Sequence, residues 1–306
     1  IVKGEEPVFC LKAVKNPVEI ANTKNAHIKE GVAMARLQMC LEEKLAAGET
    51  ISETDVGELL VNFRKEQEGY MEDSFAVIAA YGANAAMMHY HPTPENHAVL
   101  QRKGFLLLDT GGQYVDGTTD TTRTYALGEL TDEERRYYTY VLKANIGIAR
   151  TVFMEGCSGA NLDIMSRTQV WKYGLDYRCG TGHGVGFVGP IHEGPQSLRM
   201  TNHVPFQPGM TITDEPGIYE EGLVGVRIEN ELLVVEHMET KYGKFYAFQP
   251  FTYLPIDTTP VVLELMNEEE ISWLNDYHQM VYDTLSPRMT ERERIWLKEK
   301  TKPLEK

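Results

Sequence analysis

The spacing of hydrophobic and polar positions predicts a helical first third, followed by strands mixed with helices. Residues 19–47 contain no Pro, are rich in Ala, Glu, Lys, Met and Leu, and end at Gly48, which predicts one long helix. The run VFCLKAV at 8–14 is expected to be extended. Two capping-box pairs predict helix starts: Ser52 with Asp55, and Thr131 with Glu134, the second helix running to about Val152. Helical spacing predicts two further helices, at 160–173 and 267–285.

Short apolar runs bounded by turn residues predict strands. Two such runs lie within residues 74–82 and 103–114. A hairpin is predicted from two strand-like segments, 210–219 and 222–236, that are joined by a short EEG turn. The pattern as a whole predicts one α+β domain over residues 1–306, with a curved antiparallel sheet whose edges and turns carry the polar candidates.

Five candidate metal ligands lie in Gly-rich or strand-like segments: Asp109 in LLLDTGGQY, Asp120 in GTTDTTRTY, His183 in GTGHGVG, Glu215 in TDEPGIY and Glu229 in VRIENEL. The segments DTGG at 109–112 and TTDTTRTY at 118–125, separated by QYVDG, predict a second hairpin. This hairpin would pair Asp109 with Asp120, and the first would bring Glu215 close to Glu229. An acid at the edge of an apolar strand is costly unless a cation accompanies it. Four carboxylates and one imidazole suit a site for two divalent metal ions, and such a site activates water, which predicts a hydrolase.

The net charge does not point to a further binding function. The net charge is −15, from 45 acidic and 30 basic residues, and the excess is spread along the chain as a solvated surface. No basic stripe is present, so nucleic acid is excluded as a partner. The four cysteines contain no CxxC pair, which argues against a structural zinc site and a disulfide framework. No apolar run approaches the ~18 residues of a membrane span, and a cytoplasmic protein is expected.

Several motifs, in this order, resemble a known family: AHIKEGVAM, MMHYHP, DGTTDTTRT, GTGHGVG, IHEGP, TDEPGIYEEG and GVRIENELLVV. They are similar to the pita-bread metallopeptidases, which include aminopeptidase P, prolidase, methionine aminopeptidase and the non-metal creatinases. The similarity is greatest to the catalytic domain of the cytosolic Xaa-Pro aminopeptidase group. It covers essentially the whole chain and implies the pita-bread fold, in which helices cover a curved antiparallel sheet.

The resemblance also implies a role for each ligand. Asp109 would bind one metal ion, His183 and Glu215 the other, and Asp120 and Glu229 would bridge both. Manganese is the usual metal of this group. A hydroxide held between the ions would be the nucleophile, with Glu215 as general base and then acid.

Other matching positions lie outside the ligand set. His89 and His192 match the pair that holds the scissile carbonyl, and Tyr219 and Arg227 match positions that support the ligands. Cys179 stands where this group usually has the first His of HGTGH, a residue associated with the substrate pocket. Its presence predicts an altered substrate fit, with a small buried replacement as the alternative.

The implied function is removal of one N-terminal residue from peptides that have proline second. Two alternatives stay open: a prolidase restricted to Xaa-Pro dipeptides, and a non-catalytic peptide-binding module of the same fold. The chain begins at Ile1 without Met, which predicts a piece of a longer polypeptide. Full-length relatives carry two upstream domains, which are expected to be absent here, and a homodimer is a further prediction.

Overall fold

Five of the seven α-helices that the structure describes form where the sequence predicts helices, whereas the first and the last were not predicted. The structure is a computed structural model that describes residues 7–306. The capping boxes predicted at Ser52 with Asp55 and at Thr131 with Glu134 are confirmed at the starts of α3 and α4. Within the described residues the α-helices are α1 (Pro7–Ala13), α2 (Pro17–Ala46), α3 (Glu53–Lys65), α4 (Asp132–Ala149), α5 (Gly159–Trp171), α6 (Glu268–Leu285) and α7 (Glu291–Lys300), with short 3₁₀ turns at Gly82–Ala86, Leu263–Leu265 and Ser286–Arg288.

The expectation of an extended segment at residues 8–14 is wrong, because this stretch is mostly helix α1. Pro7 occupies its first position, where the fixed φ angle favours a helix and the missing N–H costs nothing. The Phe9 ring lies so close to Gly194 that a Cβ there would come within 3.0 Å of it. A seven-residue apolar run does not distinguish helix from strand by periodicity, and here tertiary packing decides.

The strands pair antiparallel throughout their ladders. The described residues contain β1 (Tyr70–Asp73), β2 (Ile78–Tyr81), β3 (Phe105–Thr110), β4 (Gly112–Tyr114), β5 (Gly117–Thr118), β6 (Thr121–Ala126), β7 (Val152–Met154), β8 (Gly182–His183), β9 (Ser197–Leu198), β10 (Thr211–Asp214), β11 (Gly217–Glu220), β12 (Val224–Arg227), β13 (Asn230–Thr240) and β14 (Gly243–Pro250). They form sheets in the orders β2-β3-β6, β10-β13-β14-β7, β1-β4-β5, β11-β12 and β8-β9. Helices and antiparallel sheets together confirm the α+β class.

The predicted hairpin over 210–236 is confirmed, with an interruption in each arm. Its inner strands β11 and β12 pair with each other, and its outer strands β10 and β13 pair with each other. The chain leaves the ladder at 215–216 and again at 228–229. Glu215 and Glu229 occupy these two interruptions, so their side chains are free of the alternation that a continuous strand imposes.

The register of the other hairpin differs from the prediction. Strands β3 and β6 pair so that Asp109 lies opposite Thr122, not opposite Asp120. Asp120 immediately precedes β6 and is buried. The short strands β4 and β5 insert a second, smaller ladder between the two acids, which shifts their pairing by two residues.

The apolar core surrounds these strands. One cluster joins the buried faces of α4 and α6 to β11 and β12 through residues such as Val141, Leu274 and Val226. A second packs α2 and α3 against β3 and includes the fully buried Leu37, Leu60 and Leu106. Between residues 7 and 306, no helix combines the length and apolar character needed to cross a membrane.

Candidate metal centre

The five predicted ligands lie at the ends of strands that converge on one cavity. Asp109 is the penultimate residue of β3, Asp120 precedes β6, and His183 ends β8. Glu215 and Glu229 lie in the hairpin interruptions described above. The cavity has a volume of about 320 Å³ and is lined by Phe75, Ala76, Ile78, Met88, His89, His91, Asp109, Asp120, Cys179, His183, Ile191, His192, Glu215, Tyr219, Arg227 and Glu229.

Three ligands form the tightest part of the cluster. Asp120, His183 and Glu229 each offer one ligand atom, and these atoms lie within 4.8 Å of one another. The Nε2 atom of His183 is 3.5 Å from Oδ2 of Asp120 and 3.3 Å from Oε1 of Glu215. One imidazole nitrogen therefore faces two carboxylates, an arrangement that a shared cation would stabilise.

Burial and mutual repulsion shift the acid side chains toward their protonated forms. Burial, followed by the charges of Glu229 and Asp109, raises the pKa of Asp120 well above its usual range. Burial and the neighbouring Glu215 and Asp109 do the same for the pKa of Glu229. Burial, only partly offset by the Arg227 guanidinium, raises the pKa of Glu215 to about 7. These acids are too crowded to ionise together unless positive charge enters the cavity.

His183 is oriented so that Nε2 is available to a ligand. Its Nδ1 lies 3.0 Å from the carbonyl oxygen of Gly184, and burial lowers the pKa of the ring. A neutral ring that donates from Nδ1 presents the Nε2 lone pair to the cavity. The flanking glycines permit this close packing, because a Cβ at Gly182 would lie 1.8 Å from the Thr213 carbonyl oxygen and one at Gly184 would lie 2.0 Å from that of Glu193.

Arg227 links several parts of the site. Its Nη2 donates to Oδ2 of Asp109 at 2.5 Å, and its Nη1 donates to the Tyr219 hydroxyl at 2.7 Å. The guanidinium is buried, so these contacts fix the Asp109 carboxylate with little competition from water. The other oxygen of Asp109, Oδ1, is buried and has no hydrogen-bond partner among the described residues.

Two threonines that were not predicted from the sequence donate hydrogen bonds to the carboxylates of metal-ligand candidates. The Thr122 hydroxyl donates to Oε2 of Glu229 at 2.7 Å. The Thr213 hydroxyl donates to Oε1 of Glu215 at 3.2 Å and accepts the backbone N–H of His183 at 2.9 Å. Each lies two residues from a predicted acid in the sequence, so its position in the TTDTT or TITDE motif could have indicated a supporting role.

The remaining predicted residues line the same cavity outside the ligand cluster. The rings of His183 and His192 meet edge to face, with centroids 4.1 Å apart. Burial and the charges of His183 and His89 are among the causes that lower the pKa of His192. Burial and the Glu215 carboxylate raise the pKa of the Cys179 thiol to about 11, so the thiol is neutral. His91, to which no role was assigned, also lines the cavity.

An antiparallel α+β scaffold with four carboxylates beside one buried imidazole in a cavity is typical of proteins with carboxylate-rich metal sites. The chain belongs to metallopeptidase family M24. Residues 21–236 match the model of that family, and residues 244–304 match the C-terminal region of peptidase M24.

Individual relatives agree with this assignment. The chain is 41% identical to aminopeptidase P2 of Arabidopsis thaliana over 99% of this chain and 43% of that protein. It superimposes with a TM-score of 0.93 and 35% identity on an X-prolyl aminopeptidase from Caenorhabditis elegans, described as a cytosolic enzyme with a di-nuclear active site, covering 98% of this chain and 50% of that one. The predicted pita-bread fold class is thereby confirmed.

A more distant likeness is to the Xaa-Pro dipeptidase from Bacillus anthracis, with a TM-score of 0.68 and 30% identity over 82% of this chain and 64% of that one. The chain spans about half the length of the curated relatives that it matches, from 43% to 50% among the first of them.

Proposed function

We propose that this chain is the catalytic region of a dinuclear metal-dependent exopeptidase that hydrolyses the N-terminal Xaa-Pro bond of peptides. The observation that carries the proposal is the convergence of five metal-ligand side chains on one cavity that also contains His89 and His192. The similarity to aminopeptidase P2 and to the Caenorhabditis elegans X-prolyl aminopeptidase supports the same substrate class.

Asp109, Asp120, His183, Glu215 and Glu229 would hold two divalent metal ions. The donors fit such ions, because Asp109 keeps a buried oxygen without a partner in the described part of the chain and the raised pKa values of Asp120 and Glu229 reveal a shortage of positive charge. An oxygen-rich set with one imidazole suits manganese. Two bound ions would lower the pKa of water and stabilise the charge of a tetrahedral intermediate.

Glu215 and the cavity histidines would carry the proton transfer and position the substrate. In the metal-free cavity burial raises the pKa of Glu215 to about 7. With metal bound, the Glu215 carboxylate would accept a proton from the attacking water and return it to the leaving prolyl nitrogen. His192, whose pKa is lowered by burial, can donate an N–H to the scissile carbonyl as a neutral ring, and His89 lines the same cavity. Arg227 and Tyr219 would keep Asp109 in place.

Specificity for proline follows from the absence of an N–H on its nitrogen and from its fixed ring. The cavity wall includes the apolar side chains of Phe75, Ile78, Met88 and Ile191 beside the polar cluster. Such a surface recognises the ring by shape, and the metal ions would hold the free α-amino group of the first residue. Acetylated N-termini should therefore not be substrates.

Cleavage of an Arg-Pro-Pro peptide with manganese present tests the function. Mass spectrometry should find release of the first Arg as the initial product, because in the intact peptide only that bond joins a free N-terminal residue to a proline. An N-acetylated copy and an Arg-Ala-Pro copy are the matched controls and should stay intact. Cleavage confined to Gly-Pro and other dipeptides would assign a prolidase, and binding without cleavage would assign a non-catalytic module.

The Cys179→His variant tests the substrate pocket. Cys179 lines the cavity but its neutral thiol is outside the metal cluster, so the larger, polar imidazole should change KM by roughly 3- to 10-fold for peptides that differ around the scissile bond. Metal content should not change. Cys179→Ser is the control for loss of the sulfur atom. Identical KM values for every peptide would indicate that Cys179 is a packing replacement.

A cytosolic location is part of the same proposal and is supported by the description of the Caenorhabditis elegans enzyme. The homodimer stays a prediction, which sedimentation of the purified chain would test.

A further inference from the structure

We infer that Lys15 is a positioning residue for His192 and acts through Glu193. The inference rests on the proposed function, in which His192 holds the scissile carbonyl. Lys15 belongs to the segment between α1 and α2, before the residues 21–236 that match family M24. His192 and Glu193 lie in the loop of residues 184–194, which follows the ligand His183.

The Lys15 ammonium connects the two ends of this loop. Its side chain is 2% exposed, and Nζ donates to the carbonyl oxygen of Val185 at 2.7 Å and to Oε1 of Glu193 at 3.4 Å. Val185 stands two residues after His183, and Glu193 stands one residue after His192. One buried cation thus ties the chain that leaves His183 to the chain that leaves His192.

The Glu193 carboxylate occupies the interior of the loop. Its side chain is 5% exposed, and a Cβ at Gly186 would come within 3.0 Å of Oε2. The backbone N–H of Glu193 donates to the Gly184 carbonyl at 2.7 Å, which closes the loop at its base. Among the described residues, the cations paired with this carboxylate are Lys15 and the more exposed Lys12, whose Nζ lies 2.8 Å from Oε2.

The backbone of Lys15 is itself fixed to the strand that leads to Glu215. Its N–H donates to the Gly209 carbonyl at 2.8 Å, and Val14 forms an antiparallel bridge with Met210, immediately before β10. Lys15 therefore connects the His192 loop to the strand that leads to the ligand Glu215. This relation keeps the His192 ring against His183, with centroids 4.1 Å apart.

Removal of the Lys15 charge leaves a carboxylate buried without its inner partner, and the loop must move for that carboxylate to regain water. His192 would move with it. A displacement of about 1 Å from the productive position costs as much as about 100-fold in rate, because the carbonyl is no longer aligned with its donor. Metal binding depends on residues outside the loop and should persist.

The first test compares Lys15→Met with Lys12→Met in the manganese-loaded chain, with the Arg-Pro-Pro peptide as substrate. Both changes delete one cation from the same carboxylate, but the Lys12 side chain is 44% exposed. Lys15→Met should lower kcat by between about 10- and 100-fold with little change in KM. Lys12→Met should stay within about twofold of the unsubstituted chain, because exposed ion pairs contribute little.

The second test asks whether Lys15 acts through His192. In the His192→Ala background, addition of Lys15→Met should change kcat by less than about twofold, since the group that Lys15 positions is already gone. A role in general stability would instead lower kcat again by the same factor. Additive losses in the two backgrounds, or full activity of Lys15→Met, overturn the inference.

If Lys15→Met does not fold, Glu193→Gln is the replacement variant, because the amide keeps the size of the carboxylate without its charge. The same loss of kcat, and the same disappearance of that loss in the His192→Ala background, are expected; full activity overturns the inference. Failure of the proposed function is distinguishable, since the unsubstituted chain would then cleave no Xaa-Pro peptide and both proposals would fall. Failure of this inference alone leaves the unsubstituted chain active, with a Lys15→Met variant that is either equal to it or loses the same factor in the His192→Ala background.

Discussion

The Glu215→Gln variant is expected to lose at least about 10³-fold in kcat on Xaa-Pro-Yaa peptides. The amide is close in size to the carboxylate but does not accept a proton, whereas the Glu215 carboxylate would take the proton of the attacking water. The change also removes one negative charge from the atoms that face His183. Both effects act on the reacting centre, so KM should change much less than kcat.

The measurement is steady-state kinetics together with the metal content of the purified variant. Glu220→Gln is the matched control, because Glu220 ends strand β11 on the same hairpin and does not line the cavity. Its kcat should stay within about twofold of the unsubstituted chain. A Glu215→Gln variant that keeps two metal ions and more than a tenth of the activity would show that another group carries the proton.

Metal removal is expected to destabilise the protein increasingly as the pH rises from about 4 to about 7. In the metal-free folded state the pKa values of Asp120, Glu215 and Glu229 are raised above those of an unfolded chain. The folded state then binds more protons than the unfolded state, so the free energy of unfolding falls as pH rises through this window. For Glu215 alone the loss is on the order of 3 kcal/mol.

Bound divalent ions should reverse this trend, because they replace the protons that the carboxylates would otherwise retain. Each site occupied at 100-fold excess over its Kd adds about 2.7 kcal/mol. At pH 7.5 the Tm of the manganese-loaded chain should therefore exceed that of the metal-free chain by at least about 5 °C, and the difference should shrink toward pH 5.

Thermal melts of the loaded and metal-free chain between pH 5 and 7.5 test this expectation. The control is Asp120→Asn combined with Glu229→Gln, which removes two of the crowded charges. Without metal, this double variant should be more stable at pH 7.5 than the unsubstituted chain, and manganese should raise its Tm little. A Tm difference between loaded and metal-free protein that does not depend on pH would contradict the assigned carboxylate cluster.

The sequence predicted those features that depend on residues close together in the chain. The capping boxes of α3 and α4 are short-range patterns, and both helices begin where these patterns lie. Four of the five ligand candidates are acids, and Asp109 and Glu229 were recognisable because acids beside apolar strand residues are unusual without a cation. The resemblance to known motifs supplied the pita-bread fold within the α+β class and the roles assigned to His89 and His192.

The sequence did not reveal which polar groups meet across the fold. Asp109 lies opposite Thr122 in the hairpin, because the insertion of β4 and β5 sets a register that the alternation of residues does not specify. Thr122 supports Glu229 across 107 positions, and Arg227 holds Asp109 across 118.

The sequence by itself therefore determined five of the seven described α-helices, the strand segments of the two hairpins and the identity of the candidate ligands, because propensity, capping and local hydrophobic pattern act over a few residues. Only the tertiary structure decided that 8–14 is mostly helical and that Lys15 reaches Glu193 from 178 positions away. The physical reason is that a buried ion pair or hydrogen bond depends on where packing brings two distant segments. That placement follows from the whole core and not from either segment.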